Sequence, residues 1–146
     1  MGKPKVIVAF RDAEHIESLV ELACQMSKGM DGDVTALHVL EVGPGLPLDA
    51  APGVLDRGGN AILARAREVA AGKFGQQIAT RLVRGREAGT SIVREAVDQR
   101  AALVVLGYHE KTGLSNLLLG STVEFVVRHA PCRVIVQVQP PSGRES

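Results

Sequence analysis

The residues best suited to chemistry gather between positions 107 and 122, where Gly107-Tyr108-His109-Glu110 and Gly120-Ser121-Thr122 flank a leucine-rich stretch, Leu114 to Leu119. Glycine has no Cβ to hold a ligand away from the main chain, so Gly107 and Gly120 suit a sharp turn and a close approach. Gly120-Ser121-Thr122 opens a helical pattern, and a helix start offers unpaired N–H groups and a partial positive charge, here beside two hydroxyls. That is the chemistry of a phosphate seat. The same residues also fit a structural role, since Ser121 and Glu124 are spaced as a capping box that satisfies the helix's own N–H groups and needs no ligand. Neither G-x-G-x-x-G nor G-x-x-x-x-G-K-[ST] occurs, which excludes the two commonest phosphate cradles.

Other polar residues carry less specific signals. Asp12 reads as the cap of a first helix. His38 reads as a packed strand histidine, and His109 either faces a phosphate or stands exposed in its loop. Arg81, Arg84 and Arg86 surround the end of a strand pattern; solvated charge explains them, as does a phosphate or an acidic partner. Tyr108 covers a base or packs on Leu114 and Leu117. His15 and His129 fall in helical patterns without a role. Phosphoryl transfer needs a metal-holding carboxylate and a positioned cation, and no such set, catalytic base or nucleophile is evident.

The elements that position these residues alternate short apolar runs with helical patterns, as in a parallel sheet with crossover helices. Lys5 to Phe10, Val34 to Leu40 and Leu103 to Leu106 are continuously apolar enough for the buried centre of such a sheet. Gln77 to Arg84 alternates, with Ile78 and Leu82 on one side, and Arg133 to Gln139 carries Val134, Val136 and Val138 on one side; both read as margins. Helical spacing marks four segments: Ile16 to Met30; Leu55 to Ala70; Thr90 to Gln99, with Ile92, Val93, Ala96 and Val97 inward; and the segment after Ser121, with Val123, Val126 and Val127 inward. Glu41 to Gly53, rich in Gly and Pro, is a surface loop suited to a lid or a contact. One domain, 1–139, is followed by a flexible tail, 140–146. In an open parallel sheet ligands sit beyond the carboxyl ends of the strands, which selects Ala9 to His15, Val39 to Val42 and Gly107 to Gly120.

With 146 residues and 45% apolar content the chain can bury one core, and its net charge of +1 argues against nucleic acid or an anionic membrane as partner. No Trp and few aromatics leave no stacking platform for single strands. No apolar run reaches the roughly 20 residues of a membrane span, so no direct membrane insertion and a cytoplasmic location are expected. Cys24 and Cys132 read as free thiols, and no metal site is expected.

The spacing Gly107, Glu110, Gly120-Ser121 resembles the G-x-x-G-x9-G-[ST] loop of the universal stress protein family. The resemblance runs through VIVAF, VTALHVL, GREAGTSIVREA and LVVLGYHEKTGLSNLLLGSTVEFVVRHAPCRVIV, nearly the whole chain. It implies a Rossmann-like α/β fold, an open five-stranded parallel sheet in the order 3-2-1-4-5 with helices on both faces. It also implies a homodimer formed through the last strand (Val134, Val136, Val138) and an adenine-nucleotide cleft for AMP or ATP, with Mg accompanying ATP. In that cleft the base lies between Ala9 and Val39, the ribose near Gly107, and the phosphates over Gly120, Ser121 and Thr122 within reach of His109.

Two residues depart from the family pattern. Arg11 stands where nucleotide-binding members carry Asp, with Asp12 one position on, and Glu110 replaces the second glycine of the loop. A carboxylate about 4 Å from a phosphate charge, at an effective dielectric near 20, repels it by roughly 4 kcal/mol if nothing neutralises it. ATP suffers more than AMP. The alternative expectation is the family's non-nucleotide branch: a dimerisation or regulatory domain for a protein partner, such as the soluble domain of a membrane transporter.

Overall fold

The computed structural model describes residues 2–50, 53–109 and 120–139. Strand and helix alternate: β1 (Lys5–Phe10), α1 (Ile16–Met30), β2 (Asp33–Glu41), α2 (Val54–Phe74), β3 (Ala79–Gly85), α3 (Ala88–Asp98), β4 (Leu103–His109), α4 (Ser121–His129) and β5 (Arg133–Gln139). All strand pairs are parallel and the order is β3-β2-β1-β4-β5, as expected. The expectations placed on Glu110, on Leu114 to Leu119, on the His109 side chain and on the tail 140–146 lie outside the described residues.

The apolar runs of β1 and β4 take the centre because helices cover both of their faces; Val6, Ile7, Val8, Val104 and Val105 are fully buried. Strand alternation divides the core in two. Val6, Val8 and Phe10 meet Leu19, Val20 and Ala23 of α1 and Ala66 and Val69 of α2. Ile7, Ala9, Val104 and Leu106 meet Ile92 and Ala96 of α3 and Val123 and Val126 of α4. Burying each Val, Leu or Ile side chain contributes about 1.5–3 kcal/mol.

Three apolar residues in the helical patterns face solvent instead: Leu55, Val97 and Val127 are 68%, 54% and 51% exposed. On α3 the buried stripe runs through Ser91, Ile92, Glu95 and Ala96, so Glu95 occupies the flank that the pattern assigns to Val97. The reason is electrostatic: Glu95 meets Arg81 of β3 there. On α4 the inward stripe is Val123 and Val126, and Val127 has turned past it. Both cysteines are free, Cys24 buried and Cys132 half-buried, and burial pushes each thiol above its ordinary range.

Candidate ligand-binding notch

β1 is shorter than its neighbours at the carboxyl end. It stops at Phe10, opposite His38, and its last partner on β4 is Leu106, opposite Ala9. Beyond that point Val39, Leu40 and Glu41 of β2 pair only with β3, and Gly107, Tyr108 and His109 of β4 pair only with β5. The two overhangs are separated by the width of the missing strand, about 10 Å from one to the other. This notch stands where the strand order reverses, so the chain leaves β1 and β4 toward opposite faces of the sheet. Ala9 lies beneath it and half-buried Val39 on one wall. Buried His38 ties the end of β1 to β2, its Nδ1 lying 2.7 Å from the Phe10 carbonyl oxygen, the packing role expected of it.

The helix starts near this end of the sheet differ in how they are closed. At α2, Asp56 accepts the Gly53 N–H at 3.1 Å. At α3, the Glu41 carboxylate, reaching across from the end of β2, accepts the Ala88 N–H at 3.0 Å. At α4 the cap is Gly120 and no side chain caps it. The capping box expected of Ser121 and Glu124 is therefore not formed. The helix begins one residue too early for it: Ser121 is already helical, and Glu124 pairs with Arg128 at 3.0 Å. Exposed Gly120, exposed Ser121 and half-buried Thr122 thus present an N-terminus that no side chain of the described residues closes.

Gly107 is placed as expected, but for a different reason. The strand continues through it to His109, so it makes no turn. A Cβ at this position would lie 2.9 Å from Leu19 Cδ1, so the glycine lets α1 pack against β4. Asp12 does not cap α1; its Oδ1 accepts the Glu14 N–H at 2.9 Å, shaping a turn before His15, whose left-handed backbone (φ 61°) opens the helix. Exposed Arg11 and half-buried Asp12 follow the end of β1 at the mouth of the notch. Tyr108 is half-buried and packs on the α3 and α4 core, while its expected partners Leu114 and Leu117 lie outside the described residues.

The arginines at the end of β3 are not merely solvated. Arg84 pairs with Asp56 at 2.6 Å and donates to the carbonyls of Leu48 and Ala50. Arg86 donates to the carbonyls of Gly43 at 2.6 Å and Leu46 at 2.7 Å. Together with the Val42 N–H, which donates to the Gly85 carbonyl, they fasten the strap 42–50 over β3 and away from the notch. The Arg84 bond, reinforced by the Gly53 N–H, holds the Asp56 carboxyl below its usual range. The Arg-Gly-Arg at positions 84–86 was the available signal; its acceptors, backbone carbonyls far away in sequence, were not. Arg81 turns to Glu95 on the other side of β3's path.

Among the described residues no group of His, Cys, Asp and Glu is arranged to hold a metal, and no helix is long and apolar enough to cross a membrane.

Residues 4–137 match the model of the Universal stress protein family. A universal stress protein of Methanocaldococcus jannaschii is 34% identical over 124 residues, covering 81% of this chain and 72% of that protein. The fold superposes on a universal stress protein from Archaeoglobus fulgidus with a TM-score of 0.75 at 22% identity, over 93% of this chain and 94% of that one. A structure of the A. fulgidus universal stress protein in complex with dAMP has a TM-score of 0.70 at 20% identity, over 92% and 96% of the two chains. A universal stress protein in complex with cAMP has a TM-score of 0.65 at 24% identity, over 93% and 97%.

Proposed function

We propose, from the premise that the chain belongs to the universal stress protein family, that it is a cytoplasmic regulatory module that binds an adenine mononucleotide and acts by binding rather than catalysis. The observation that carries this reading is the notch above β1, together with the N-terminus of α4, which no side chain of the described residues closes. The base lies between Ala9 and the main chain of Val39, where β2 has lost β1 as a ladder partner and its polar groups are available to the edge of a purine. The ribose lies beside Gly107, and one phosphate sits on the N–H groups of α4 with Ser121 and Thr122. Asp12 and Arg11 stand at the mouth, and the family resemblance assigns His109 and Glu110 to the phosphate side of the cleft. Similar folds crystallised with dAMP and cAMP support a monophosphate as the occupant. Occupancy changes the surface that this end of the sheet offers to a protein partner.

The β5 edge supports a second element of the reading, a homodimer. Among the described residues β5 pairs only with β4, so its outer edge can serve as a template for a second copy. Of the valine face, Val134 and Val136 are half-buried against the α3 and α4 core and Val138 is 57% exposed, so Val138 is the residue most available to a partner. Arg11 and Glu110 favour the variant in which dimerisation and partner contact operate without nucleotide, as in a regulatory domain of a transporter.

Isothermal titration of the purified protein with AMP and with ATP, each with and without magnesium, tests the reading. Saturable AMP binding, with ATP weaker and strengthened by Glu110→Gly, is the expected result. No binding of either nucleotide to the wild type or to Glu110→Gly overturns the nucleotide reading and leaves dimerisation as the function.

A further inference from the structure

At the opposite end of the sheet, under the amino ends of the strands, lies a groove of about 360 Å³. Its floor is made by Lys5 of β1, Thr35 of β2 and Ala79 and Arg81 of β3, and its wall by Glu95, Asp98 and Gln99 at the end of α3. It exists because α3 lies across β2 and β3 only as far as Asp98, leaving the start of edge strand β3 uncovered; Ala79 is exposed.

The polar groups of this groove fall into two sets. Glu95 and Arg81 are committed to each other through two bonds, and the Gln99 Nε2 donates to Glu95 Oε1 at 2.8 Å. Lys5 and Thr35 have no side-chain partner among the described residues, and exposed Asp98 makes no hydrogen bond through its carboxylate, though its charge acts on Arg81. Thr35 is the telling member. It is 6% exposed, yet its hydroxyl makes no hydrogen bond. Among the described residues no side-chain oxygen fully cut off from solvent is left unpaired, so this one opens on the groove that the residue lines. Buried polar side chains in folded proteins are nearly always bonded, and valine would have filled the same shape without a hydroxyl to satisfy.

We propose that this groove binds a small zwitterion of the free amino acid class. Lys5 and Arg81 balance Glu95 and Asp98, so the groove has no net charge to attract a simple anion or cation, but its charges are segregated. The Lys5 ammonium and the Thr35 hydroxyl take the carboxylate as charge-assisted donors. Asp98, next to the carbonyl end of α3 with its partial negative charge, takes the ammonium. The ion pair of Glu95 and Arg81 holds the wall and floor in place before the ligand arrives. The volume equals about a dozen waters, which suits one amino acid rather than a peptide. This site is separate from the notch and does not depend on the nucleotide reading.

The test is a series of amide ¹H–¹⁵N correlation spectra of the full chain titrated with L-glutamine, with sodium acetate and methylammonium chloride as single-charge controls. Expected are saturable millimolar shifts at Thr35, Ala79, Asp98 and Gln99, with Ala9 and Val39 unmoved, and with acetate and methylammonium weaker by about tenfold or more. Thr35→Val and the surface variant Asp98→Asn should each weaken glutamine binding about fivefold or more, their spectra elsewhere reporting an intact fold. Absence of saturable shifts overturns the proposal. So does acetate binding as well as glutamine, or glutamine shifts that survive both substitutions.

Discussion

Glu95 and Arg81 join α3 to edge strand β3 through two parallel bonds, Nε to Oε1 at 2.5 Å and Nη2 to Oε2 at 3.1 Å. The Glu95 side chain is 9% exposed and that of Arg81 54%. Removing one partner of a buried pair costs about 3–5 kcal/mol, because the other charge is left in a dry site. Water reaches Arg81, which lowers the cost. Arg81→Ala is therefore expected to destabilise the fold by about 1–3 kcal/mol in urea unfolding. The double variant Arg81→Met/Glu95→Leu should recover most of that loss, since no charge then remains to be desolvated.

Gly107 and Leu19 make a second coupled pair. A methyl group at 107 would press on the Cδ1 of buried Leu19, 2.9 Å away, so the end of that side chain must shift. Overpacking costs about 1–3 kcal/mol, and a side-chain end that can move puts this case at the low end. Gly107→Ala should lower the urea midpoint by a corresponding amount, and shortening the neighbour with Leu19→Ala should make the same glycine substitution nearly neutral. A Gly107→Ala cost that persists without the Leu19 side chain would instead assign the glycine to its backbone conformation.

These two pairs mark how far the sequence could be read. The strands were legible because continuous apolar runs such as Val6 to Phe10 have one good place in an α/β sheet, and the alternation around Ile78 and Leu82 marked an edge. Strand order came from family resemblance, since periodicity says nothing about which strand lies beside which. The local residues of the loop, Gly107 and Gly120-Ser121-Thr122, were singled out by their types. Their reasons were not: Gly107 answers to Leu19, Glu41 caps α3, and Arg84 and Arg86 answer to carbonyls of the strap, all partners distant in sequence. Ser121 failed as a cap through a shift of one residue in the helix start, which local pattern cannot resolve.

Asp56 predicts an acid limb. Its carboxyl lies below the ordinary 3.8 because Arg84 and then the Gly53 N–H bond the charged form. A carboxylate lowered in the folded state contributes stability above its unfolded value and loses it as pH falls through the folded one. Wild-type stability should therefore decline below about pH 4, and Asp56→Asn should be less stable at pH 7 but flatter across that acid window. Glu17 is also lowered, by its bond to Lys73, so it too loses its contribution as the pH falls. Glu17→Gln in chemical unfolding at pH 2.5 to 7 separates the two contributions.

The strap 42–50 yields the last prediction. It exposes Leu46 and Leu48, 59% and 42% accessible; Pro47 protects the bond after Leu46, but the bond after Leu48 is open to a protease that cuts after leucine. Cleavage needs the backbone to leave its present shape, and the side chains that oppose this are Arg86 on the Gly43 and Leu46 carbonyls and Arg84 on those of Leu48 and Ala50, beside three backbone bonds of the strap. Few buried apolar contacts add to these bonds, so local opening here is independent of global unfolding. Arg86→Ala should speed chymotrypsin cleavage after Leu48 by about tenfold, the equivalent of about 1.4 kcal/mol in the opening equilibrium. Global stability in urea should change by less than about 0.5 kcal/mol, the usual range for a surface residue. Arg84→Ala should do both, because it also removes the partner of Asp56 at the start of α2. Equal cleavage rates in wild type and Arg86→Ala would show that the strap is held by its own turns, such as the Leu46 N–H on the Gly43 carbonyl, rather than by β3.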